Sequence, residues 1–211
     1  MIALIAKGGS LGLAAGLSPG PLMMLLLAET LRRGWSAGLQ VSVAPLITDS
    51  VLVSIALLLT AWLPPWAVSG ISVAGGLILI AMGWGTIRSA GAGPAAAARE
   101  VAAAREVTDG SPLVKAIATN LLNPQAFAFW LVAGSAELRD AAALAGWSGP
   151  VAFMSAFFGV MISINLALAF SISRGRHLLQ GPGYRWTLRG AGALLAVLGL
   201  MRLWAGVSAL M

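Results

Sequence analysis

Six long apolar stretches, nearly free of charge, constrain this chain more than any other feature. They run approximately Leu4–Ala28, Ser36–Ala61, Trp66–Ile87, Leu113–Ser135, Pro150–Ser173 and Thr187–Ser208. A spanning helix needs about 20 mostly apolar residues, and each stretch reaches that length. The 211-residue chain is 59% hydrophobic and only 9% charged, against roughly 25% charged in soluble domains. So much apolar surface must face lipid. The sequence therefore predicts an all-α, polytopic integral membrane protein of six transmembrane helices. The first stretch is read as a retained span: it continues to Ala28 with Lys7 as its only early cation, whereas a signal h-region is about 7–15 residues long.

The connections set the organisation. Only the segment between the third and fourth stretches, 88–112, is long. It is rich in alanine and charge (Arg99, Glu100, Arg105, Glu106, Asp109) and reads as a short, exposed, partly helical cytoplasmic linker. The chain is thus one transmembrane domain over 1–211, with one half at about 1–87 and another at about 113–211. Arg32, Arg33, Arg88, Arg99, Arg105, Lys115, Arg174, Arg176, Arg185 and Arg189 fall on one side, and Lys7, Arg139 and Arg202 on the other. Cytoplasmic loops carry the excess of Lys and Arg, so both termini are expected outside a cytoplasmic membrane of bacterial or archaeal type. Seven tryptophans (Trp35, Trp62, Trp66, Trp84, Trp147, Trp186, Trp204) lie at or near span ends, as an interfacial belt requires, and Trp130 alone lies inside a span. The net charge of +6 is scattered among apolar runs, a pattern of membrane-flanking cations rather than a nucleic-acid stripe. Cysteine is absent, which removes disulfides and thiolate sites.

The first and fourth stretches share an unusual feature. One carries Ser18-Pro19-Gly20-Pro21, the other Asn120-Leu121-Leu122-Asn123-Pro124, so a polar residue followed by proline recurs three spans apart. Three is odd, so the halves are expected to lie in the membrane as two inverted three-helix repeats. Helix-breaking residues at matching positions of such repeats point to a transporter's central site. Proline lacks an N–H and crowds the carbonyl four residues earlier. Pro19, Pro21 and Pro124 are therefore expected to free the carbonyls of Ala15, Leu17 and Asn120, which protein, water or a ligand must meet. Ser18, Asn120 and Asn123 are placed to share that duty, the two asparagines on one helix face. A plainer reading makes the prolines mere packing kinks, but their pairing in both halves favours a site.

Asp49, preceded by Thr48, is the acid deepest within any stretch. An ionised aspartate at mid-bilayer costs roughly 2.5–3.5 kcal/mol on insertion scales. Burial opposes its charged form, which suits a group that exchanges a proton or serves as counter-ion to an ammonium. The alternative is an acid that only ties helices together. Glu29, with Arg32 and Arg33 at i+3 and i+4, reads as an interfacial ion pair, and His177 as a solvated loop residue. The series Gly12, Gly16, Gly20 and Gly192, Gly199, Gly206 permit close helix packing.

These motifs resemble those of the LysE/RhtB amino-acid exporters: Gly16-Leu17-Ser18-Pro19-Gly20-Pro21 is similar to that family's Ser-Pro-Gly-Pro signature, and Thr119-Asn120-Leu121-Leu122-Asn123-Pro124 to its Asn-x-x-Asn-Pro motif. The resemblance covers the chain in length, span count and motif order. It implies a small six-span carrier of the cell inner membrane, a homodimer, exporting amino acids or related solutes at the expense of ion gradients. Family members often carry a glycine-rich second span where this chain has Ala44-Pro45 and Thr48-Asp49, and some an acid in span five where it has Asn165. Thiol-conducting proteins of the same superfold require cysteines that are absent here. A divalent-metal exporter is a rival, although hard cations want several oxygen ligands. A non-transporting assembly partner would leave the paired breaks unexplained. Intramembrane proteases need a buried Ser–His pair or two buried acids, so no enzyme, catalytic residue, metal site or cofactor is expected. The expected activity is proton-coupled export of a small zwitterionic solute, with Ser18, Pro19, Gly20, Pro21, Thr48, Asp49, Asn120, Asn123 and Pro124 forming the site.

The cation asymmetry makes a direct prediction. A reporter active only in the cytoplasm should be silent when fused after Met211 and active when inserted near Gly93; the reverse pattern overturns the orientation.

Overall fold

A computed structural model of the chain describes residues 1–18, 20–62, 64–103, 110–174 and 182–208. Among these residues the fold is all-helical. Four helices are long and apolar enough to cross a bilayer without interruption. They lie within α3 (Trp35–Ala61), α4 (Pro65–Ala103), α8 (Ser148–Arg174) and α9 (Pro182–Ser208). A fifth candidate span is a pair of helices, α1 (Ile2–Leu17) and α2 (Pro21–Arg33), bent by 61° at the break between them. Many large apolar side chains on these helices point outward, among them Leu58, Leu77, Val197 and Met201, as lipid-facing surface requires. Trp62, Trp84, Trp147, Trp186 and Trp204 are exposed as well.

The fourth expected span, Leu113–Ser135, is not one helix. It divides into α5 (Pro112–Leu121), α6 (Pro124–Ala128) and a π-helical turn (Phe129–Gly134), and then continues into α7 (Ser135–Ala145). Two local causes are visible. Pro124 cannot donate into the preceding turn, and the Asn123 side chain accepts from the Gln125 N–H at 3.0 Å, which starts a new helix there. The linker is partly helical, as expected, and continuous with the preceding span: α4 runs on as helix from Ile87 to Ala103. Residues 104–109 and His177 lie outside the described residues.

Glycine determines how the helices pair. A methyl group on Gly76 would meet the Gly199 carbonyl at 2.7 Å, and one on Gly83 or Gly192 would strike the facing backbone in the same way. Gly76 faces Gly199 while Gly83 faces Gly192, so α4 and α9 run antiparallel. In lipid, association depends on close van der Waals fit rather than hydrophobic exclusion, and small residues make that approach possible. The expected Gly192, Gly199, Gly206 series forms this seam, with Gly206 against Val73. On α1 the seam is Gly8, Gly12 and Gly16, which lie under the backbones of Phe153, Phe157 and Met161 on α8. Gly20 is not part of it. The order of contacts shows that α1 and α8 run parallel.

Two further glycines close helical hairpins. Gly34 (φ 81°) and Gly146 (φ 58°) adopt left-handed backbone that strains other residues. Each is followed by Trp-Ser, so Gly34-Trp35-Ser36 and Gly146-Trp147-Ser148 are the same tripeptide at the same kind of corner. The first leads from α2 into α3, the second from α7 into α8, and α3 and α8 both have 27 residues. Inside, Trp130, Phe153, Phe157, Leu11, Leu79 and Leu195 form the core, with Trp130 edge-to-face on Phe157 at 5.1 Å.

The glycine seam is testable. Gly199→Leu should lower stability by about 1–3 kcal/mol, the usual cost of overpacking, seen as a reduced Tm in detergent. Gly159→Ala has open space around it and should leave Tm unchanged or slightly raised.

Candidate functional site

Both helix breaks open onto one internal cavity of about 100 Å³. Ser18 and Gly20 reach it from the first break, Asn120, Asn123 and Gln125 from the second. One water needs roughly 10–15 Å³, so the space suits a few waters or a small organic solute. The long helices complete the wall with stripes at helical spacing: Val41, Pro45 and Asp49 from α3, and Phe157, Met161 and Asn165 from α8. Met23, Met82, Phe129 and Trp130 supply apolar and aromatic surface.

The backbone at each break is locally repaired. Ser18 is extended (φ −66°, ψ 119°) and its N–H reaches the Ala15 carbonyl at 3.2 Å. The Asn123 N–H reaches the Asn120 carbonyl at 3.2 Å. The carbonyls expected to be free at Ala15 and Asn120 are therefore taken by tight turns. Nor do Pro21 and Pro124 line the cavity: both are exposed first-turn residues, of α2 and α6, and Pro19 lies outside the described residues. First-turn positions suit proline, whose missing N–H has no intrahelical partner there. The breaks serve the site by directing neighbouring side chains and helix ends inward.

Among the described residues Asp49 is the one ionisable side chain on the cavity wall, and it is 6% exposed. The Asn120 amide donates to its carboxylate at 2.6 Å and to the Thr48 hydroxyl oxygen at 2.6 Å. The Thr48 hydroxyl itself points to the Ala44 carbonyl and to Asp49, at 3.3 and 3.4 Å. Trp130 lines the cavity beside Asp49. Thr48 thus stands behind Asp49 rather than on the wall. The two asparagines do not share a helix face, since the chain breaks between them: Asn120 is bound to α3 and Asn123 caps α6.

Trp130, Gln125 and Asn165 were not singled out as site residues from the sequence. Trp130 carried a signal, as the one tryptophan away from the membrane belt; it lies in the π-helical turn, a distortion frequent at functional sites. Two buried ion clusters were also missed. Glu29 pairs with Arg32 and Arg33, as its spacing predicts, but it is also 2% exposed and meets Lys115 of α5. Glu137 is buried beside Lys7 and Arg202.

A helical membrane protein with two interrupted helices around a small, mostly apolar cavity that holds a few polar groups has the construction of a carrier. Residues 13–206 match the LysE type translocator family, and the chain belongs to that family. No curated protein and no solved structure matches it. Membership makes it an integral membrane protein of a transport family.

The clamp on Asp49 predicts an order of stabilities. Asn120→Ala leaves a buried carboxylate and hydroxyl short of a donor and should cost about 1–3 kcal/mol. Thr48→Val leaves the Asn120–Asp49 bond in place and should cost less. Thermal unfolding in detergent measures both.

Proposed function

We propose that this protein is a secondary transporter exporting amino acids or related small zwitterionic solutes across the cytoplasmic membrane, coupled to the proton gradient. The observation that carries the reading is a single carboxylate, Asp49, held by neutral donors on a cavity to which both broken helices contribute. Asp49 alternates between a proton and the ammonium group of the solute. The first-turn N–H groups of α2, at Leu22 and Met23 on the cavity wall, have no intrahelical partners. They form the positive helix end that receives the carboxylate. Ser18, Gly20, Asn123 and Gln125 surround the polar end of the solute, and the aromatic and methionine side chains its apolar part.

The carrier crosses the membrane six times as one domain of two inverted repeats, with both termini outside. Parallel packing of α1 and α8 supports this count. With α3 and α4 each crossing once between them, the two are parallel only if the chain from α5 to α7 also crosses. The repeated Gly-Trp-Ser corners support the repeat, as does the matched arrangement of elements. In each half, a broken helix is followed by a hairpin glycine and two long helices. The cavity favours an organic solute over a divalent metal. Among the described residues Asp49 is the one carboxylate on its wall, whereas a hard cation usually takes several oxygens and more than one carboxylate.

The test is expression-normalised flux in inverted membrane vesicles against a panel of amino acids. Asp49→Asn nearly preserves shape while removing charge and proton. It should fold with an unchanged or higher Tm, lose gradient-driven transport, and show flattened pH dependence in any residual flux. A fully active Asp49→Asn protein with unaltered pH dependence would assign the proton elsewhere. Loss of Tm with transport per folded molecule intact would make Asp49 a structural tie.

A further inference from the structure

The two buried ion clusters are built on one plan. Glu29, near the end of α2, meets Lys115, in the first turn of α5, at 3.1 Å. Glu137, at the start of α7, meets Lys7, near the start of α1, at 2.6 Å. In each case an acid beyond the break of one half is joined to a lysine ahead of the break of the other half. Each cluster also contains arginine: Arg33 lies 3.1 Å from Glu29, and Arg202 of α9 reaches both Glu137 and Asp140.

Their positions put them on opposite sides of the cavity. Lys7 precedes Ser18 along α1 and Glu29 follows Gly20 along α2, so the helix break and the cavity lie between them. At 1.5 Å per residue with the observed bend, the clusters are on the order of 25 Å apart. An ion pair at either place ties the two halves together on one side of the cavity.

The energetics suit a latch better than a permanent brace. The attraction within a buried ion pair is largely offset by the desolvation of its partners, so parting the pair where water can re-enter carries little net cost. Both clusters are also imperfectly satisfied. Glu29 Oε2 and Arg202 Nε are buried and close to an opposite charge, yet neither has a hydrogen-bond partner. A fixed structural tie would be expected to complete those bonds.

We infer that the Glu29–Lys115–Arg33 and Glu137–Lys7–Arg202 clusters are the two gates of the transport cycle, each opening one mouth of the cavity while the other stays paired. Both are formed together in this structure. The inference rests on the transport reading given above, and it adds how access to the site is regulated.

The absence of native cysteine permits a test that needs no solute. Ser18→Cys places a single thiol on the cavity wall. A membrane-impermeant maleimide is applied to right-side-out and to inverted vesicles. Glu29→Gln should raise the labelling rate from one face by about tenfold or more, as expected when a minor open state becomes dominant. Glu137→Gln should do so from the opposite face. Should either single variant misfold, the neutral pairs Glu29→Gln with Lys115→Met and Lys7→Met with Glu137→Gln carry the same comparison, since replacing both partners avoids a stranded charge. Labelling that rises from the same face in both variants, or in neither, overturns the gates. Opposite-face labelling, together with no amino-acid flux by the unsubstituted protein, leaves the gates standing and refutes the solute assignment instead.

Discussion

Hydrocarbon offers no partner to an unpaired backbone group, so a helix can be broken there only where protein, water or solute completes its bonding. This requirement governs the molecule. The interruptions at Ser18–Gly20 and at Leu122–Asn123 are bordered by the same cavity, and each is patched by a short turn that reclaims a carbonyl. The four uninterrupted helices and their glycine seams hold the two interruptions together. Without Gly8, Gly12 and Gly16, α1 could not lie against the backbone of α8, and the first break would not reach the wall formed by Phe157, Met161 and Asn165. Packing and site are therefore one problem. The close approach that lipid demands of helix pairs also shapes the cavity.

Within that frame the chemistry of the site is sparse. One acid is surrounded by amides, hydroxyls, aromatic rings and methionines. A carboxylate offers about four lone-pair directions, and the donors at Asn120 and Thr48 leave room for another. An incoming ammonium or proton can thus bind without the protein having to dismantle the clamp. In the proposed cycle the clamp holds Asp49 in place while its charge changes. Its neutrality matters, because a lysine or arginine in the position of Asn120 would lock the acid in its ionised form.

The amount that the sequence revealed differed by level. Apolar runs identified membrane helices because hydropathy acts over whole segments, and the two proline motifs located both breaks. What the prolines do was misjudged. Pro21 and Pro124 were expected to liberate carbonyls into a site, but they start new helices and face outward, because a first-turn position accommodates proline without loss. Asn120 and Asn123 were assigned to one face by helical spacing, a period that fails once the helix ends at Leu121. Glu29 was read from its local arginines alone. Its partner Lys115 is 86 residues away, and no local pattern predicts a meeting set by tertiary packing. The Lys7–Glu137 pair escaped for the same reason. Asp49 and Trp130 were conspicuous because each breaks a rule of composition for its depth.

The proposed repeat has one departure that bears on mechanism. Counting fifteen residues on from the hinge glycines leads from Gly34 to Asp49 and from Gly146 to Met161. Both side chains line the cavity, so the halves agree in geometry and differ in chemistry at that level. Two-fold similarity serves alternation, because halves of similar shape can exchange roles as the molecule changes its open side. A second acid at position 161 would put like charges on facing walls of a small apolar space, and one of them would stay protonated. A single carboxylate avoids that outcome and limits the site to one ammonium or one proton at a time. Competition between those two ligands for a single group is the simplest way to link their opposed movements. In this reading the symmetric scaffold supplies the motion, and the one asymmetric position supplies the coupling.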